Sequence, residues 1–334
     1  MKKLVALLLT FLLALSALSG CASAARSIVA VSSSTPTVAL LISDAFGDRS
    51  FFDSAKAGCD KLVAEGIQVT AIECNSENHT AQIYNAAEIA DVIVLVGWEF
   101  YDVETVALEH EDKRFIWVDD ATSSPVANVL NITFAQNEGS FLAGYIAART
   151  SQTGIIGAIG GKDIDTINDF IVGYKQGAAY ANPEIDVQVQ YTDSYDDPAV
   201  GKKSAVSLHE SGADVIFQIA GKCGNGVFDA AREKGFYAIG VDSDQKYIDP
   251  EVIICSMCKD VGGAIYSAVM QYVAEGDDCG LWGTTWIADM ATGYVSIGYG
   301  EEGSAQQIPD ELKLEVEDLV SKITSGEIAV ETTR

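Results

Sequence analysis

The stretch "GADVIFQIAGKCGNGVFDAAREKGFYAIGVDSDQ", residues 212–245, carries the pattern that decides the fold. "ADVIFQI" (213–219) is an almost unbroken apolar run, and Gly221, Gly224 and Gly226 punctuate the loop after it. Residues 225–234 have a helical pattern, and "YAIGV" (237–241) is a second apolar run. A strand apolar on both faces, a helix and another such strand predict a βαβ unit with parallel strands. The second run ends abruptly in Asp242-Ser243-Asp244. In open α/β sheets ligands bind beyond the carboxyl ends of the strands, so these carboxylates mark a place to look for function.

The same alternation extends in both directions. Upstream, strands are predicted at 37–43, 67–73, 91–97, 115–119 and 128–134. A second series follows at 154–159, 186–192, 213–219 and 237–241. Helical patterns at about 51–65, 80–89, 138–150, 166–181, 198–211 and 225–234 lie between them. Two series predict two α/β lobes. The tail 309–328 reads as a surface helix.

The start of the chain belongs to neither lobe. Lys2 and Lys3 precede an apolar run from Leu4 to Leu18, then Leu18-Ser19-Gly20-Cys21. Small residues directly before a cysteine predict a lipoprotein signal over 1–20, with Cys21 as the lipidated residue. Residues 21–36, rich in Ser and Ala, read as a tether. With 48 acidic residues, 21 basic ones and a formal net charge of −27, the chain repels nucleic acid and anionic lipid. Six further cysteines, Cys59, Cys74, Cys223, Cys255, Cys258 and Cys279, suit either apolar packing or structural disulfides in an exported protein. Cys59 and Cys74 could meet. Cys255 and Cys258 form one C-x-x-C pair with no second pair nearby, which points away from zinc.

Strand ends repeat one chemistry. Asp44, Asp48, Ser50, Phe51 and Phe52 follow the first strand, Trp98 the third, and Asp119 and Asp120 the fourth. In the second series Asp193, Ser194 and Tyr195, then Lys222 and Asn225, then Asp242 occupy such positions. Carboxylates accept hydrogen bonds from vicinal hydroxyls, and aromatics offer flat faces to a sugar or a base. Hydroxyls joined to a flat ring describe a sugar or, more sharply, a nucleoside. A phosphate loop is missing, since Gly161-Lys162 lacks the upstream glycine and the following hydroxyl. His79, His110 and His209 do not stand at strand ends beside a nucleophile, so catalysis has little support. A nucleoside hydrolase or phosphorylase would need an aspartate metal cluster or a phosphate site. A sugar or signal-molecule receptor is the other alternative.

Three segments carry a likeness. "NITFAQNEGSFLAGYIAA" (131–148), "GAIGGKDIDTINDFIVGYKQGAAYANPEIDVQVQYTDSYDDPAVGK" (157–202) and the opening stretch, with its E-G-S-F-L-A-G, S-Y-D-D-P and G-V-D-S-D-Q motifs, resemble the basic membrane protein family. These are lipoprotein substrate-binding components of ABC transporters, similar to purine nucleoside receptors. The resemblance implies a type I periplasmic-binding-protein fold, with two Rossmann-like lobes joined by three crossovers. It places 37–134 plus 252–285 in the first lobe and 135–251 plus 286–334 in the second. It further implies a nucleoside bound in the cleft, no cofactor and no metal, and an ABC permease as partner. The protein would sit lipid-anchored on the extracytoplasmic face of the membrane. The implied ligand contacts are Asp48, Ser50, Phe51, Phe52, Asp119, Tyr195, Gly221, Asp242 and Lys259, with Lys259 beyond the second crossover. Asp244 and Gln245 are expected to cap or turn the next loop. Tyr195 stands where the family usually has Phe, Phe52 where asparagine is common, and Lys222 and Cys223 replace the commoner double glycine and threonine.

Overall fold

The computed structural model describes residues 35–119 and 126–333. The leader 1–20, Cys21 and nearly all of the tether fall outside them, as does Asp120. The first lobe begins with β1 (Val38–Ile42), α1 (Phe51–Ala64), β2 (Val69–Glu73), α2 (His79–Ile89) and β3 (Val92–Val96). It continues with α3 (Val103–Glu109), β4 (Arg114–Val118) and β5 (Val129–Phe134). The chain then enters the second lobe with α4 (Gln136–Thr150), β6 (Ile155–Gly160), α5 (Asp165–Ala181), β7 (Asp186–Tyr191) and α6 (Pro198–Glu210). There follow β8 (Val215–Ile219), α7 (Gly224–Lys234), β9 (Tyr237–Asp242) and β10 (Ile253–Lys259). It returns to the first lobe for α8 (Val261–Glu275) and β11 (Thr284–Ala288), and crosses again to β12 (Val295–Gly298) and α9 (Asp310–Thr324).

Each lobe has a six-stranded sheet. The orders are β2-β1-β3-β4-β5-β11 and β7-β6-β8-β9-β10-β12. All pairs are parallel except β10 with β12, which is antiparallel. The two orders match strand for strand, so β4 of one lobe corresponds to β9 of the other. Central strands such as "VALLI", "VIVLV" and "VIFQI" are buried at every position, which is why they read as continuous apolar runs. Of the edge strands, β2 is mostly exposed and β7 half-buried.

The boundary expected at 252 is corrected. β10 pairs with β9 in the second sheet, so the second crossover follows Lys259 rather than preceding it. Lys259 therefore closes a second-lobe strand. The first lobe also runs to the end of β11 at Ala288, because that strand pairs in parallel with β5. Five elements, α3, β10, α8, β11 and β12, form where the apolar pattern alone predicts neither strand nor helix. The six described cysteines are free thiols. Cys59 packs in the core on one face of the first sheet and Cys74 in the core on the other, so the sheet itself keeps them from meeting.

Candidate functional site

The carboxyl ends of both sheets face each other across a cavity of about 580 Å³. From the first lobe its wall includes Asp48, Phe51 and Phe52 at the start of α1, Trp98 and Glu99 after β3, and Asp119 after β4. The second lobe contributes Lys162 and Phe170, Tyr195 after β7, Gly221 after β8, and Asp242 and Lys259 at the ends of β9 and β10.

Asp119 and Asp242 occupy corresponding strand ends, and both take the left-handed conformation, with φ of 69° and 62°. That region is uncommon for residues other than glycine, and its cost recurs at functional sites. Lys259 links them. Its Nζ lies 2.7 Å from Asp119 Oδ2 and 3.9 Å from Asp242 Oδ1, and its side chain is 2% exposed. The ammonium also sits over the rings of Phe51, Phe134 and Phe170, at 4.7, 5.2 and 5.3 Å from their centroids. A buried cation is held here by two carboxylates and three aromatic faces. Asp119 Oδ1 is buried and has no hydrogen-bond donor among the described residues. An acceptor in that position is costly unless a ligand supplies the donor.

Ser50 differs from its expected role. It is fully buried, does not line the cavity, and donates through Oγ to Asp242 Oδ2 at 2.6 Å across the lobes. It positions a carboxylate. Burial pushes the Asp242 carboxyl above its ordinary value, opposed by Lys259 and by the Ser50 hydrogen bond. Asp48 does line the cavity, but its oxygens accept the backbone N–H groups of Ser50, Phe52 and Asp53 at the start of α1. It thereby aims the two phenylalanines, whose ring centroids lie 5.4 Å apart. Desolvation outweighs those three donors and pushes Asp48 up to about 6.

Tyr195 lies against Gly161 so closely that a Cβ there would come within 2.0 Å of its ring. Gly221, at φ +53°, faces the Tyr195 carbonyl. Cys223 N–H donates to the same carbonyl at 3.0 Å. Asp244 accepts from Lys246 N–H and Gly300 N–H, capping the next turn as expected. Gln245 does more than cap. Its amide ties Val241 N–H, Gln218 and the first-lobe carbonyl of Arg49 together. Of the other strand-end residues, Asp44, Trp98, Asp193, Ser194 and Lys222 reach the wall and Asn225 does not. Among the described residues no cluster of His, Cys, Asp or Glu could hold a metal ion.

Glu99 and Phe170 join the wall without having been singled out in the sequence, and Lys162, considered there only as part of a phosphate loop, joins it too. Lys162 follows the end of β6, and the strand-end rule alone could have found it. Glu99 hides one place beyond Trp98. Phe170 sits on a helix with many apolar positions and is indistinguishable in sequence from core.

The family model for "ABC transporter substrate-binding protein PnrA-like" matches residues 35–334. The chain belongs to this family of ABC transporter substrate-binding proteins. Relatives of this substrate-binding protein include Basic membrane protein A of Borreliella afzelii, 34% identical over 89% of this chain and 92% of the relative. Another is the "ABC transporter nucleoside-binding protein BmpA" of Lactococcus lactis, 30% identical over 98% of this chain and 99% of the relative. In structure it is similar to an ABC transporter solute-binding protein from Aeropyrum pernix K1. That likeness has a TM-score of 0.80 and 27% identity over 89% of this chain and 94% of the other. It is a substrate-binding protein of an ABC transporter, and its two α/β lobes are the architecture expected from the sequence.

Proposed function

We propose that this substrate-binding protein takes a nucleoside, with purines favoured, and delivers it to an ABC permease. Acylation of Cys21 would hold it on the extracytoplasmic face of the membrane, near that permease. The observation that carries the reading is Asp119 Oδ1, without a donor among the described residues, beside Lys259 and Asp242 in a cleft with an aromatic surface from each lobe. Vicinal ribose hydroxyls supply donors to such acceptors, and Phe51, Phe52 and Tyr195 offer faces to a base. The rings of Phe51 and Phe52 are tilted by 51° to each other, so each offers its own face, and the preference for purines rests on the resemblance to purine nucleoside receptors. A cavity of about 580 Å³ accommodates a molecule of nucleoside size. The likeness to a protein named as nucleoside-binding points the same way.

No bond is made or broken in this scheme. The ligand bridges the lobes, and it can shift an open–closed equilibrium only by its differential affinity for the two states. Calorimetric titration with adenosine, guanosine, inosine, cytidine, uridine, ribose and adenine tests the proposal. The expected result is submicromolar binding of purine nucleosides and weak binding of ribose or free base. Binding of ribose without any nucleoside would replace the proposal with a sugar receptor. Release of free base from inosine would replace it with an enzyme.

A further inference from the structure

Lys162 is the residue of "GGKD" that no phosphate loop explains. Its Nζ lies 5.5 Å from the ring centroid of Trp98, on the first lobe, and 5.7 Å from that of Tyr195, on the second. Both distances are within cation–π range. Glu99, next to Trp98 and half-buried, feels the same ammonium. Half of this cage therefore belongs to each lobe, and it exists only when they are together. Opening would strip Lys162 from Trp98. Gly161 makes the geometry possible, since a side chain there would collide with Tyr195 and push it from the cage.

We infer that Lys162 is a latch across the cleft mouth, tying the ring of Tyr195 to Trp98 and slowing ligand escape; the nucleoside reading enters only through the choice of probe. Lys162 is a positioning residue in this role and need not touch the ligand. It complements the deeper bridge from Lys259 to Asp119, whose side chains are largely buried whereas Trp98 is exposed.

Two measurements on the full-length protein, reconstituted in lipid nanodiscs, test this. The first is hydrogen exchange without ligand. Lys162→Met is expected to speed exchange about 2- to 10-fold in segments 97–101 and 160–163, with the strand cores unchanged. Lys162→Arg should restore the wild-type rates, because a guanidinium also stacks on aromatic faces. Trp98→Leu, altered on the opposite lobe, should reproduce the effect of Lys162→Met. The second is stopped-flow binding of adenosine, in which koff should rise about 2- to 10-fold with kon nearly constant. Unchanged exchange in both Lys162→Met and Trp98→Leu overturns the latch. So does a loss of affinity that Lys162→Arg fails to rescue, which would make Lys162 a direct ligand contact. If the wild type binds neither adenosine nor any other nucleoside of the titration panel, the nucleoside reading fails, and the exchange measurement still decides the latch.

Discussion

Asp242 shows how one carboxylate can be both structural and available. Ser50 uses one of its oxygens and Lys259 approaches the other, while burial raises its pKa above the ordinary carboxylate value. In the proposed complex ligand hydroxyls donate to the ionised form, so protons compete with ligand. Affinity should be constant above the raised pKa and fall as pH drops through it, with the midpoint above 3.8. Titrations between pH 4 and 8 would show this, and Asp242→Asn should remove the part of the pH dependence that this carboxylate contributes, leaving that of Asp48. Hydrogen bonds to charged groups are worth about 1.5–3 kcal/mol, so Asp242→Asn should weaken nucleoside binding roughly 10- to 100-fold at neutral pH. A fully retained affinity would show that Asp242 serves only to hold Ser50 and Lys259. The sequence pointed to this carboxylate because a buried strand ended in charge. It could not show that Ser50 would reach Asp242 from a position 192 residues away in the chain. That hydrogen bond depends on how the lobes meet, which no local pattern encodes.

The element that places the aromatic face is α1, and its start is organised by Asp48. Three backbone N–H groups that a helix terminus would otherwise leave unpaired converge on this buried carboxylate. Asp48→Ala should cost about 1–2 kcal/mol of stability in urea unfolding, as for other lost helix caps. It should also weaken ligand binding, by loosening Phe51 and Phe52. The linkage has a definite sign. The folded pKa of about 6 exceeds the ordinary 3.8, so the native state binds more protons than the unfolded state between those values. This group's contribution is therefore most favourable below pH 3.8, declines as pH rises to about 6 and is flat above it. The decline amounts to about 3 kcal/mol, the free energy that separates a pKa of 3.8 from one of about 6. In Asp48→Asn that component vanishes, and the difference between variant and wild type should change across about pH 4–6 alone. Elements such as α1 were legible because their apolar periodicity and strand-end positions agree. β10 was not, because its "IICSMCK" has a C-x-x-C spacing that draws attention to sulfur chemistry and away from a strand. The helix α8 after it shares the apolar, glycine-containing character of a connection. The crossover was therefore displaced to the wrong side of Lys259.

At the scale of the whole molecule, Lys259 acts as a counter-ion shared between lobes. Closing the cleft brings Asp119 from the first lobe towards Asp242 of the second, and the ammonium lies between the two carboxylates. Without it, closure would bury two like charges near one another, beside rings that offer no compensation. Alternation of strands and helices was enough to foresee two lobes, and repeated strand-end carboxylates were enough to mark a ligand site, whereas the cleft was implied by the family resemblance. The counter-ion required knowing which sheet holds β10. Lys259→Met keeps much of the side chain's length and its contact with Phe51, Phe134 and Phe170 while removing the charge. The variant should remain folded when open, because the two carboxylates can then reach solvent. Its closed form should be destabilised by several kcal/mol, the scale at which breaking one partner of a buried pair is felt. Nucleoside affinity should accordingly fall by at least about 100-fold. Small-angle X-ray scattering at saturating ligand provides the check. The wild type should contract on adding adenosine, whereas Lys259→Met should keep its ligand-free dimensions. Lowering the pH should partly restore contraction in the variant, since protonating one carboxylate removes the repulsion that Lys259 otherwise neutralises. A variant that binds and contracts like the wild type at neutral pH would mean that the two aspartates are kept apart by geometry alone.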